Sequence, residues 1–369
     1  MKPISTLYSS PNSKRQTGLS LVELMISLTI GLILLMGVTT LIVQQNNTRD
    51  ELDKSSRQIE NGRFAMQILH DDLQHAGFYG QYFILPSTPA TLPNPCLVDI
   101  ASLTAAMPLP IQGYDSPVSV PAPLSNCLAD ANHVAGTDIL VIRRANTSTA
   151  SIANAAAGVG GQVYLQTNTA SAVIGVGAGA TITSFPLTYD AAQTIRAPLR
   201  SYFVRIYFIS PCSTMANGTT CAASDDNGNP IPTLKRLELS ASGGNTNLAL
   251  TPLVEGIENM QMDFGLDNDG DGYPDINSTT PIATTDWSNV MAVRVNLLSR
   301  NTEPSVGYSD GKTYTLGLAG SVGPFNVAPY ALSSACGGTA AYPQRCNYKR
   351  HMYSELISLV NPSGRRAQQ

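Results

Sequence analysis

Residues 19–43 constrain the chain most, because this apolar run carries a single charged side chain, Glu23. As an α-helix the run reaches about 37 Å at ~1.5 Å per residue, enough to cross a hydrocarbon layer of about 30 Å. It predicts one membrane-spanning helix. Lys14 and Arg15 precede it and the uncharged QQNNT at 44–48 follows, so the positive-inside rule keeps the leader in the cytoplasm and exports the remainder. A secretory signal peptide holds its apolar region inside the part that is removed. Here the leader, MKPISTLYSSPNSKRQTG, is hydrophilic and the run begins only after Gly18, so cleavage there keeps the helix. A carboxylate inside such a run costs roughly 2.5–3.5 kcal/mol on insertion scales, which makes Glu23 a functional residue in want of a partner.

The chain of 369 residues leaves one large exported domain or two small ones beyond this anchor. Charged residues make up only 13% of it, which suits an extracytoplasmic, sheet-rich body. The net charge is −4; Lys2, Lys14 and Arg15 contribute +3 with no acid beside them, so the rest carries −7. That balance implies no basic face for nucleic acid. Six cysteines stand at 96, 127, 212, 221, 336 and 346 without a CxxC pair, so disulfides in an oxidising compartment are expected rather than zinc. Fifteen connectivities exist for six cysteines. Sequence proximity favours Cys96 with Cys127, Cys212 with Cys221, and Cys336 with Cys346.

Beyond the membrane the helix is expected to continue through 44–76. Leu52, Ile59, Met66 and Leu73 recur every seven residues, with Gly62, Leu69 and Ala76 beside them. The first half is polar and FAMQILHDDL is richer in core residues, so the second half should dock on the body, with Gly77 as the stop. Strand-length apolar runs begin at Asp138, Gln162, Ser201, Leu234, Met260, Val290 and Met352, separated by Gly, Pro, Asn and Ser clusters. Residues 86–136, rich in Pro and Ala, read as a stapled loop or small insertion, and SDGK at 309–312 as a hairpin turn. The expected fold is α+β: a long N-terminal transmembrane and amphipathic helix packed on antiparallel β-sheet, with extended loops. Its segments are 1–18, 19–43, 44–76 and 77–369.

DNDGDGYPD at 267–275 is the sharpest polar motif. Asp267, Asp269 and Asp271 alternate, Gly272 allows a sharp turn, and Asp275 stands at the ninth position. Those four carboxylates plus the Tyr273 carbonyl could offer oxygens to calcium. The twelfth position is Ser278 rather than glutamate, so this is no EF-hand; a solvated acidic turn is the alternative. SDDNGNP at 224–230 lacks the alternation and reads as a turn beside Cys221.

Catalytic signatures are missing. His70 and His75 are five apart and do not share a helix face, and the chain holds no GxSxG, HExxH or phosphate-cradling glycine loop. No enzyme is expected. Trp287, the one tryptophan, reads as a core residue opening a strand.

GLSLVELMISLTIGLILL resembles the prepilin cleavage and methylation motif, with Gly18 before the cut, Leu19 as the N-methylated residue and Glu23 at the fifth mature position. Leu19 stands where phenylalanine is commoner. IENGRFAMQILHDDLQHAGFYG, PTLKRLELS, LVEGIENMQMDFGLDNDGDGYPD, WSNVMAVRVNLLSR and YKRHMYSELISLVN together resemble the PilW class of minor pilins. The resemblance implies a pilin-like subunit that primes or caps type IV pili in support of twitching motility, adhesion or DNA uptake. It implies partners: other minor pilins, the major pilin, the prepilin peptidase, an inner-membrane assembly platform and a tip adhesin. It also places the chain in the inner membrane of a Gram-negative bacterium, with a periplasmic domain, and then in the extracellular pilus. For such a subunit, Glu23 pairs with the new α-amino group at Leu19, its own or a neighbour's. A J-type pseudopilin of type II secretion is the rival within the same class; a membrane-tethered calcium-binding receptor or enzyme is the rival from another.

Overall fold

The computed structural model describes residues 18, 20–83, 85–149, 159–177, 185–189, 195–278, 281, 283–312, 314, 316–317 and 345–367. The chain divides into two compact units, Met1–Asp53 and Lys54–Gln369. Helix α1 (Leu21–Gln74) belongs to both. In the first unit its apolar side chains from Leu21 to Val43 are all exposed, as a segment built for lipid requires.

In the second unit all strand pairings are antiparallel. The larger sheet holds β1 (Ile111–Tyr114), β2 (Ile139–Ala145), β3 (Val163–Thr167), β4 (Ala172–Val176), β5 (Leu199–Ser210), β6 (Thr233–Ser242) and β7 (Asn245–Glu255). Strand β5 is its hub, pairing with β2, β3 and β6, while β7 pairs only with β6. The smaller sheet runs β11 (Arg350–Ser358), β10 (Val290–Arg300), β8 (Ile257–Leu266) and β9 (Ile276–Ser278). Short helices α2 (Ile100–Ala106), α3 (Asp225–Gly228), α4 (Thr284–Ser288) and α5 (Val360–Arg366) lie in the connections. All seven expected strands are present, so the α+β reading holds. Strands β1, β4, β7 and β9 come in addition.

The last five turns of α1 pack into one core with both sheets. Ala65, Met66, Leu69 and Leu73 meet Ile142 and Tyr207 of the larger sheet and Val293, Val295 and Ile357 of the smaller. This corrects the seven-residue stripe: Leu52 and Ile59 are exposed, and Gln58, Gly62, Ala65, Met66, Leu69, Asp72 and Leu73 form the buried face. An α-helix drifts about 20° per heptad against a seven-residue repeat, so the stripe rotates out of the core. Gln58 takes the place instead because its amide spans two carbonyls, Ser299 O and Lys349 O, each at 2.9 Å. Gly77 ends the helix as expected, at φ 68°, and its N–H donates to Arg143 O.

The segment 78–128 covers the opposite face of the larger sheet. Tyr79, Leu103, Met107, Leu124 and Leu128 pack there against Val141, Tyr202, Val204 and Phe208. Cys96–Cys127 closes it across 31 residues, a staple that by loop-closure entropy contributes roughly 3–4 kcal/mol. Two further expectations are corrected. Trp287 is buried as expected, edge-on to Phe264, but it lies in α4, where Asp286 reaches back to the Ala283 N–H and closes a helical turn before β10. SDGK at 309–312 is no hairpin turn: among the described residues no strand flanks it, and Asp310 is buried in an ion pair with Arg350 at 3.1 Å.

Candidate functional site

At the amino end, Gly18 is exposed and precedes the helix, while Leu19 lies outside the described residues. The Leu24 N–H donates to Ser20 O and closes the first turn, which carries Glu23. An acid there favours the helix, since the unpaired N–H groups of a first turn amount to a partial positive charge. The Ser27 hydroxyl donates to the Glu23 backbone carbonyl, and Glu23 is exposed. Glu23 is therefore presented at the tip of an exposed apolar rod, close to where a cut after Gly18 frees an amine.

The acidic loop lies in the other unit, between β8 and β9. Asp267 is fully buried and caps two backbone N–H groups, Gly270 at 2.6 Å and Gly272 at 3.0 Å. Asp275 accepts from the N–H groups of Asn268 and Asp269. Asp267, Asp269 and Asp275 bring carboxylate oxygens within 4.8 Å of one another. Asp271 is not in that set and accepts from the Tyr273 N–H; Tyr273 is exposed. The converging set is thus smaller than the spacing suggested, because the chain turns through positive φ at Gly270 and Gly272, on either side of the third alternating acid, Asp271. Helix α5 supports the loop from outside, with the Ser363 hydroxyl donating to Gly272 O.

Among the cysteines, Cys96–Cys127 and Cys212–Cys221 are joined as expected. The third expected pair includes Cys336, which lies outside the described residues; Cys346 is buried. Among the described residues the histidines belong to no metal group: His70 Nδ1 meets Glu355 at 2.8 Å, His75 Nδ1 meets Asp71 O at 2.6 Å, and His133 is buried against Thr137.

Residues 13–39, which contain Gly18, Leu19 and Glu23, match the prokaryotic N-terminal methylation motif. Residues 215–361, from the Cys221 loop to α5, match the type IV pilus-assembly protein W family. Together the two matches support a PilW-type pilin. No curated protein and no solved structure matches the chain. Both matches point to a structural, type IV pilus-related subunit, and the methylation motif with the long apolar helix points to membrane anchoring ahead of a C-terminal globular domain.

Proposed function

We propose that this minor pilin helps to prime or cap type IV pili, with the globular domain in the periplasm and then on the extracellular filament. The observation that carries the reading is Glu23, the one acid of the exposed apolar run 19–43, five residues after Gly18. Removal of the leader creates an α-amino group at Leu19. Pairing it with the Glu23 carboxylate of a neighbouring helix neutralises both charges where neither has water. Prepilin peptidase, an inner-membrane platform, the major pilin, other minor pilins and a tip adhesin are the partners of this reading. Twitching, adhesion or DNA uptake is its output. Calcium at Asp267, Asp269 and Asp275 belongs to the same proposal, supported by the convergence of their oxygens.

Two measurements test the assembly role. Mass spectrometry of the mature protein should find an N-methylated Leu19 at its start; a chain that still begins at Met1 overturns the reading. Glu23→Ala should then abolish assembly while leaving export intact, and normal piliation in that strain overturns the role of the carboxylate.

A further inference from the structure

The connection between β5 and β6 is organised by two aspartates. Asp225 accepts backbone N–H bonds from Ala216 (3.1 Å) and Ala222 (2.8 Å). Asp226 accepts from Ser213 (2.8 Å), Thr214 (2.9 Å) and Ile231 (2.9 Å). Bonds from N–H groups to an ionised carboxylate are about twice as strong as neutral ones. They hold the loop, including the left-handed Asp226 and Asn227, independently of Cys212–Cys221, which closes only nine residues.

The two sulfurs of that disulfide sit in different surroundings. Cys212 is fully buried, and Lys235 Nζ lies 4.0 Å from its Sγ. Lys235 is itself 1% exposed, and among the described residues this sulfur is the one hydrogen-bond partner of its ammonium. Cys221 is half-buried, between half-buried Thr220 and exposed Ala222, with Ser210 Oγ 3.3 Å from its Sγ. A cavity of about 110 Å³, walled by Ala131, Pro211, Ala222 and Pro230, opens beside both sulfurs. At Cys96–Cys127 the Leu124 carbonyl lies 3.4 Å from Cys96 Sγ.

We propose that Cys212–Cys221 is a thiol–disulfide exchange site that takes an external dithiol. A thiolate of the dithiol attacks Cys221 Sγ from the open side. The new S–S bond forms there as the Cys212–Cys221 bond breaks, and the electron pair departs on Cys212 Sγ. The Lys235 ammonium stabilises that departing thiolate, and a more stable leaving thiolate leaves faster. The second thiolate of the dithiol then attacks the mixed disulfide at its own sulfur, releasing Cys221 as a thiolate that is protonated from solvent. Two electrons pass from the dithiol to the protein, and the dithiol ends as a disulfide. Asp225 lies within 4.8 Å of both sulfurs and opposes thiolate formation at either. Asp225 and Asp226 also attract the Lys235 ammonium, and its position 4.0 Å from Cys212 Sγ is what favours Cys212 as the sulfur that leaves.

The test uses the full-length protein in detergent and glutathione as the probe, followed by acid quench, alkylation and peptide mapping. Glutathione should be found on Cys221 with Cys212 free, before Cys96–Cys127 opens. Lys235→Met should slow the adduct's formation about tenfold, while Lys235→Arg, which keeps the charge, should restore it to within about threefold of the wild type. Glutathione on Cys212, opening of Cys96–Cys127 at the same rate, or an unchanged rate in a folded Lys235→Met overturns the proposal. If that variant does not fold, the adduct map of the wild type decides by itself.

Discussion

Gly62 of α1 lies flat against the ring of Tyr353 on β11, so close that a Cβ at position 62 would overlap three of its ring carbons. The Tyr353 hydroxyl donates to Ile59 O at 3.2 Å and holds the ring in place. A helix-interior glycine costs about 0.5–1 kcal/mol against alanine, so Gly62→Ala would stabilise an isolated helix. Overpacking costs about 1–3 kcal/mol and wins here. We expect Gly62→Ala to lower the unfolding free energy in the wild type and to raise it by about 0.5–1 kcal/mol in a Tyr353→Ala background. Urea melts of the four proteins check the reversal of sign.

Asp72, also on α1, is 2% exposed and takes the Arg144 guanidinium at 2.9 Å, the Arg205 guanidinium at 2.5 Å and the Tyr207 hydroxyl. Removing one side of a buried ion pair costs about 3–5 kcal/mol because the other side stays buried without its partner. Arg205 retains Glu238 at 2.8 Å, which softens the loss. Asp72→Ala should therefore cost about 3 kcal/mol in denaturant melts, and Asp72→Asn, which keeps an acceptor for Tyr207, less.

Legibility in the sequence followed apolar patterning closely. Strand β8 is buried along its whole length, and its alternating apolar residues Met260, Met262, Phe264 and Leu266 mark it as a strand although Gln261 and Asp263 between them are buried too. Strand β7 is hidden in NTNLALTPLVE because it is an edge strand: all but Val254 are exposed or half-buried, few residues are β-branched, and it carries Pro252. Strand β1 is only IQGY, where Gly113 is required because a Cβ would come 2.7 Å from the Phe264 ring and 2.9 Å from the Trp287 ring. The docking face of α1 was obscured by Gln58 and Asp72, polar residues that occupy core positions because partners far along the chain satisfy them. At the candidate sites, processing and assembly residues are local motifs and could be read directly. The proximity of Lys235 to Cys212 is a tertiary fact, and strand patterning gives no sign of it.

His133 gives the domain an acid-sensitive element. Its ring is buried, Nε2 lies 3.0 Å from Thr137 O and 3.1 Å from Thr137 Oγ1, and Asp130 is the nearby charge. Burial holds the imidazole below its ordinary value of 6.5, and the Thr137 carbonyl and Asp130 only partly oppose this. The unfolded chain thus binds a proton more readily than the folded one just below pH 6.5. Stability is therefore full above that value and is lost as pH falls through it toward the lower folded value. His133→Gln should flatten this decline: the melting temperature of the variant should change less between about pH 7 and pH 5 than that of the wild type.

Around the acidic loop, two aspartates that look alike in sequence should respond oppositely. Asp267 is buried and caps Gly270 and Gly272, so its carboxylate organises the turn whether or not an ion is present. Leaving those two donors unsatisfied costs about 1–3 kcal/mol, and Asp267→Ala should lose that much in chelator. Asp269 is exposed and accepts only the Asp271 N–H, so Asp269→Ala should be within about 0.5 kcal/mol of wild type under the same conditions. With calcium at a hundred times its dissociation constant, a bound ion stabilises the folded state by about 2.7 kcal/mol. Wild type should show that rise in chemical melts and Asp269→Ala should not, because both oxygens of Asp267 and one of Asp275 are already engaged by backbone N–H groups, which leaves too few oxygens to hold the ion. A wild type indifferent to calcium would leave the loop as an acidic turn held by Asp267 alone.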